Sequence, residues 1–107
     1  MSSYTGHAKK TDGNHEAVKA ELKAAMPEIS VHDSSHAHGG FPDLVIGLFG
    51  LNHLVELKDG TKPPSRRRLT NAQVGVHTNW QGNVWVCHTA SEVLANIARF
   101  HAKGGRA

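Results

Sequence analysis

Three ionisable residues stand at the edges of one apolar stretch, FPDLVIGLFGLNHLVELK: Asp43 near its start, Glu56 and Lys58 near its end. The stretch reads as two short strands joined by a glycine-containing turn. Side chains alternate faces along a strand, so Glu56 and Lys58 share one face while Val55 and Leu57 point into a core. A turn over Phe49-Gly50 sets Asp43 opposite Glu56. A turn over Gly50-Leu51 sets it opposite Lys58 and beside Glu56; glycine first suits a type II′ turn, which favours this second register. Both registers place two carboxylates and an ammonium on one face. Two carboxylates that close repel, so one is protonated unless a cation is shared between them. A hard divalent ion resolves the conflict: Mg²⁺ takes one or two carboxylates, a carbonyl, waters and phosphate oxygens. Asp43, Glu56 and the main-chain carbonyl of Leu57 form such a set. Lys58 then sits beside the ion's water shell, where it can orient a water nucleophile or stabilise charge on a phosphorane. The chemistry expected is metal-assisted hydrolysis of a phosphodiester.

The elements around the stretch must hold these groups. Asp12 or Asn14 caps a helix running to about Met26, with Ala17, Val18, Leu22 and Ala25 as its apolar stripe; Pro27 ends it. Glu28–His32 alternates as a first strand, and Asp33–Gly40 (DSSHAHGG) is a loop. After the hairpin comes a basic loop over Asp59–Arg68. Thr70 or Asn71 caps a second long helix through about Gln81, with Val74, His77 and Trp80 facing inward. Asn83–His88 is a strand, and a last helix runs from Thr89 or Ser91 to about Lys103, with Val93, Leu94, Ile97, Ala98 and His101 buried. The order αβββαβα predicts an α/β fold, a mixed sheet flanked by helices. Residues 1–11 read as a flexible arm, 12–103 as one domain and 104–107 as a frayed tail.

Composition narrows the class. At 107 residues the chain is one domain with a modest core. No apolar run reaches the ~20 residues of a membrane span, and no signal-peptide pattern opens the chain, so no membrane partner and a cytoplasmic location are expected. The single cysteine, Cys87, excludes an internal disulfide and reads as a buried small hydrophobe. A net charge of +3 and a pI near 9.3 lean toward a polyanionic partner. Lys62, Arg66, Arg67 and Arg68 follow the strand carrying Glu56 and Lys58, where they can neutralise an incoming phosphate backbone. No base-reading motif or aromatic ladder is visible, so binding to backbone and shape is expected. His36 and His38 precede Pro42-Asp43 and line the mouth of the site.

Plainer readings exist for each feature. Glu56 and Lys58 can be a surface ion pair of little energetic value, Gln73 an ordinary helix residue, and the basic run a solvated loop. His32, His36 and His38 with Asp33 hold the residue types of a zinc site, in a loop that offers no rigid spacing.

Pro42-Asp43 followed by Glu56-Leu57-Lys58 resembles the signature of the PD-(D/E)XK nuclease superfamily. The wider pattern is similar to its VRR-NUC group, small nucleases of phages and bacteria: Gly39-Gly40-Phe41 before Pro42-Asp43, Leu69-Thr70 and Gln73 on the following helix, then Gly82 and the strand Asn83–Val86. The resemblance spans about Asp12 to Leu94. It implies a restriction-endonuclease-like core, with Asp43 and Glu56 as ligands of Mg²⁺ (Mn²⁺ substituting), Lys58 as the catalytic lysine, and Gln73 positioning the lysine or the scissile phosphate. In that family an acidic residue on the first helix often completes the metal site, and Glu16 is the best placed here. The implied activity is a DNA endonuclease selective for structure, with flaps and four-way (Holliday) junctions as candidate substrates, used in replication, recombination or repair. A homodimer is expected, since a small monomer has little surface to grip a duplex. A DNA-binding or assembly protein that keeps the fold without cleaving is the alternative, and a histidine-metal nuclease a third.

Overall fold

A computed structural model describes residues 14–104. The arm expected over 1–11 and most of the tail expected over 104–107 lie outside them. The elements are α1 (His15–Ala25), β1 (Ser30–Asp33), β2 (Leu44–Leu48), β3 (Leu51–Leu57), a short 3₁₀ turn (Pro64–Arg66), α2 (Asn71–Asn79), β4 (Val84–Cys87) and α3 (Ala90–Ala102). The fold is α/β: four strands in the order β1-β2-β3-β4, antiparallel in the first two pairings and parallel between β3 and β4. The crossover through α2 supplies the parallel pair, as the element order requires.

Strand alternation sorts the two faces. Leu44, Ile46 and Leu48 of β2 share a face with Val55 and Leu57 of β3, and Val18 and Leu22 of α1 and Val93 and Ile97 of α3 close over them as the core. α1 and α3 carry apolar stripes at helical spacing and pack together on this side. Asp43, Glu56 and Lys58 belong to the opposite face, which α2 covers at one end.

The hairpin turn departs from the favoured register. Leu48 pairs with Leu51, so the turn is Phe49-Gly50, and both residues have positive φ (54° and 80°), as a type I′ turn requires. The strand twist selects this turn although Phe49 must enter a region that costs a non-glycine residue about 1 kcal/mol or more. Continuing the ladder one step past Leu44–Val55 sets Asp43 opposite Glu56.

Helix termini follow local chemistry closely. Thr70 and Thr89 each accept a hydrogen bond from the backbone three residues on, at Gln73 and Glu92. Asn14 occupies the N-cap of α1 but makes no capping bond; its Nδ2 donates instead to the His88 carbonyl, 2.9 Å away, tying α1 to the β4–α3 connection. The expected inward face of α2 is not buried. Val74 and Trp80 are exposed, and α2 buries no residue at all. Its polar sequence, NAQVGVHTN, has too few large apolar groups to build a packed stripe.

Cys87 is fully buried in the core and accepts from Asn96 Nδ2 at 3.3 Å. Burial pushes its thiol from 9.0 up to about 11. At pH 8 its thiolate fraction is therefore about a hundredfold below that of a free thiol, and access is closed. A disulfide reagent is expected to leave Cys87 unmodified in the native protein and to react stoichiometrically in denaturant; rapid native labelling would contradict this burial.

Candidate active site

The Pro42-Asp43 corner is held by Ser34. Ser34 Oγ donates to the Pro42 carbonyl at 2.8 Å, and Ser34 N donates to the Asp43 carbonyl at 2.7 Å. The corner enters β2 so that Asp43 Oδ2 accepts from Leu57 N at 2.9 Å. That side chain replaces the ladder bond a longer β2 would have made. Lys58 N bonds to the Cys87 carbonyl of β4 and Leu54 N to the carbonyl of Asn83 just before it. By strand alternation the Leu57 N–H and carbonyl both face Asp43.

Asp43, Glu56 and Lys58 are only 6%, 2% and 9% exposed, which removes the surface ion-pair reading. Glu56 stands close enough to Asp43 to act on its carboxyl. Burial on its own raises the Asp43 carboxyl. The His15 imidazole, the neighbouring Glu56 and the Leu57 N–H outweigh it and hold Asp43 below the usual carboxylate range.

Gln73 organises the other half of the site. Its Nε2 donates to Glu56 Oε2 at 2.9 Å, and its Oε1 accepts from Lys58 Nζ at 3.2 Å and from Thr70 N at 2.8 Å. Lys58 Nζ stands 3.8 Å from Glu56 Oε2, so the amide bridges an ammonium and a carboxylate that meet only loosely themselves. The amide orientation follows from its partners: oxygen toward two donors, nitrogen toward the carboxylate. The same residue completes the capping box of α2, so the helix start and the lysine position are one network. His77, one turn further on, is lowered by burial and then by the nearby Lys58 charge.

Two contacts dock α2 over this face. Gly40, at φ +81°, lies so near the first turn that a Cβ there would stand 2.4 Å from Ala72 C and 2.7 Å from Gln73 N. Phe41 meets the Trp80 ring edge-on at 5.9 Å just past the last turn. The loop leading into Asp43 and the helix carrying Gln73 therefore grip one another.

The first helix brings a different residue than expected. Glu16 carries an 86% exposed side chain, paired with Lys19 at 2.7 Å. Lys19 also binds Asp33 at 2.7 Å. Burial raises the Asp33 carboxyl, but the bonds from Lys19 and Ser35 overcome this and hold it far below its ordinary value. The α1 residue at the centre is His15, buried, with Nε2 3.4 Å from Asp43 Oδ2. Successive helix residues diverge by about 100°, so His15 and Glu16 cannot both face Asp43. A signal for His15 was present in the spacing, since His15, Val18 and Leu22 lie on one helical stripe and all three are buried.

The remaining candidates lie at the surface. Lys62, Arg66 and Arg68 are exposed on the loop after β3, and Arg67 is half-buried. His36 and His38 are exposed in the loop before Asp43. Among the described residues no group of three His, Cys, Asp or Glu side chains stands ready to hold a metal ion, at these histidines or elsewhere. The Asp43–Glu56 pair with the Leu57 carbonyl is the smaller oxygen set that Mg²⁺ uses when waters and phosphate oxygens complete its shell. Two crowded, buried carboxylates with a neighbouring ammonium fit such an ion.

Comparison of the chain with protein-family models, with curated proteins and with solved structures gives no match. No helix among the described residues is long and apolar enough to cross a membrane. The function must be read from the chain's own residues.

Proposed function

We propose that this protein is a metal-dependent DNA endonuclease on a restriction-endonuclease-like core, of the VRR-NUC kind that its motifs resemble. The observation that carries the reading is the buried Asp43–Glu56 contact with Lys58 held beside it by Gln73. Two adjacent buried carboxylates repel each other, and with a single ammonium, Lys58, beside them a divalent cation would relieve the charge that remains.

Asp43, Glu56 and the Leu57 carbonyl would hold Mg²⁺, with Mn²⁺ substituting. The ion supplies charge stabilisation at the phosphoryl group and acidifies bound water. Gln73 Oε1 holds the Lys58 ammonium in one orientation, so that its remaining protons can face a water or a non-bridging phosphate oxygen. Lys62, Arg66 and Arg68 reach into solvent and suit contacts with phosphates on either side. Such contacts carry no base information, which favours DNA shape over sequence; flaps and junctions remain the proposed substrates, and a second copy of the chain the proposed partner.

The test is a cleavage panel of single strand, duplex, flap and four-way junction, each with Mg²⁺, Mn²⁺ and EDTA. Cleavage with either ion, none in EDTA, and faster cutting of a branched substrate than of plain duplex are expected. Binding without cleavage of any substrate, at protein excess with both ions, would leave the silent DNA-binding alternative in its place. Affinity should fall steeply with salt, and the slope of log K against log salt should lose roughly one unit of magnitude for each phosphate-contacting cation removed from the loop.

A further inference from the structure

We infer that Trp80 stacks against an unpaired base of the DNA and so makes a single-stranded branch, rather than a fully paired junction, the preferred substrate. The inference rests on the DNA-cleaving reading of the Asp43–Glu56 centre and concerns which substrate that centre is given. Of the two tryptophans, Trp85 is half-buried and stacked on His53, while Trp80 is 45% exposed. An indole left in water forgoes the burial that would stabilise it. The ring is nonetheless fixed in place. Trp80 N donates to the Val76 carbonyl at 2.9 Å, and Phe41 meets the ring edge-on. Gly82 lies against the indole nitrogen, where an added Cβ would stand 3.2 Å from Nε1. A rigid aromatic platform offered to solvent loses little entropy when a base settles on it.

Its place at the end of α2 points to a base near the cut. Trp80 follows Gln73 by about two helical turns, so both project on the same side of the helix and stand about 10 Å apart along its axis. At about 3.4 Å per stacked nucleotide that is roughly three nucleotides or fewer from the site. The charge nearby suits a phosphate backbone. From Gly60 through Ser91 the chain holds Lys62, Arg66, Arg67 and Arg68 and no Asp or Glu. That run makes the loop before α2, α2 itself and β4. Protein interfaces shed charge at their centre, whereas single-strand sites combine cations with aromatic faces. Every base has a π-face, so stacking tolerates any sequence, in keeping with backbone contacts that carry none. Bases inside a duplex already stack on one another, which leaves only an unpaired base to take the ring. Overhangs and flaps therefore rank above a fully paired four-way junction.

The experiment is fluorescence-anisotropy titration of the whole chain, in EDTA to prevent cutting, for wild type, Trp80→Phe and Trp80→Leu. The probes are a blunt duplex and the same duplex carrying an oligothymidine overhang. Circular dichroism confirms folding, and sedimentation gives the oligomeric state. Wild type should bind the overhang probe about tenfold more tightly than the blunt one. Trp80→Leu keeps an apolar contact for Phe41 but offers no ring; it should lose most of that preference, while blunt-duplex affinity changes by less than about twofold. Trp80→Phe should keep most of it. Equal weakening on both probes overturns the inference, because Trp80 then only docks α2. An unchanged preference in Trp80→Leu overturns it as well, and a wild-type dimer that falls to monomer in Trp80→Leu shows the face covered by a second copy instead. If Trp80→Leu does not fold, photo-cross-linking of wild type to an overhang carrying 5-bromouracil decides: a cross-link mapped to Trp80 supports the assignment, and its absence overturns it. The two readings fail separately. A Trp80-dependent overhang preference in a protein that cuts nothing with Mg²⁺ or Mn²⁺ upholds the stacking platform and ends the nuclease reading, whereas cleavage without any overhang preference does the reverse.

Discussion

Asp43→Asn is expected to abolish metal-dependent cleavage, by about 10³-fold or more, while the protein stays folded and binds DNA as well as before or better. The size follows from the several kcal/mol that a divalent ion contributes to charge stabilisation, at about 1.4 kcal/mol per factor of ten. Asn keeps an oxygen that can accept from Leu57 N, so no buried donor is orphaned. It removes a negative charge near the phosphates, which is why DNA affinity should hold or rise. Stability should fall modestly near neutral pH. The ionised Asp43 carboxylate is favoured in the fold, so its contribution is present above the unfolded carboxylate range and is lost as pH falls through the folded value. Single-turnover cleavage, a binding titration in EDTA and a melting curve measure the three effects. Full cleavage by Asp43→Asn would end the proposed mechanism.

Gly40→Ala should cost both stability and activity, and far more of each than Gly39→Ala. The two glycines have nearly the same positive φ, 80° and 81°, so both substitutions carry the same left-handed backbone strain, about 1 kcal/mol. They differ in what the new methyl meets: nothing within 4 Å at Gly39, and at Gly40 the backbone of Ala72 and Gln73, with closest approach 2.4 Å. Backbone cannot rotate aside, so α2 must move. Because α2 buries no residue, little else holds it, and Gln73 leaves Glu56 and Lys58. The expected result is about 2–4 kcal/mol of destabilisation for Gly40→Ala, with cleavage reduced about 10²-fold through the misplaced lysine. Equal losses in the two variants, by denaturant unfolding and cleavage rate, would show that α2 docking does not matter.

The order of elements was legible because each is specified locally. Apolar periods of two and of about 3.6 separate strands from helices, Pro27 ends α1, and the threonines at 70 and 89 cap α2 and α3. The type I′ turn was not legible, since Phe49 is an unusual residue for a positive φ and the twist of the paired strands, not its own preference, decides the matter. The exposure of Val74 and Trp80 was missed for a related reason: a short helix with few apolar groups gives no clear stripe to read.

For the site itself, the sequence alone determined that Glu56 and Lys58 share a face, because alternation along one strand holds in every register. It also set Gln73 three residues beyond Thr70, one of the two candidate caps, and the structure shows Thr70 to be the cap. Only the tertiary structure decided that Asp43 faces Glu56, that Gln73 bridges Glu56 and Lys58, and that α1 delivers His15 in place of Glu16. Each of those depends on where one element sits against another. A helix rotated by one residue, about 100°, exchanges the group presented to the site, and the composition of the helix hardly registers the difference.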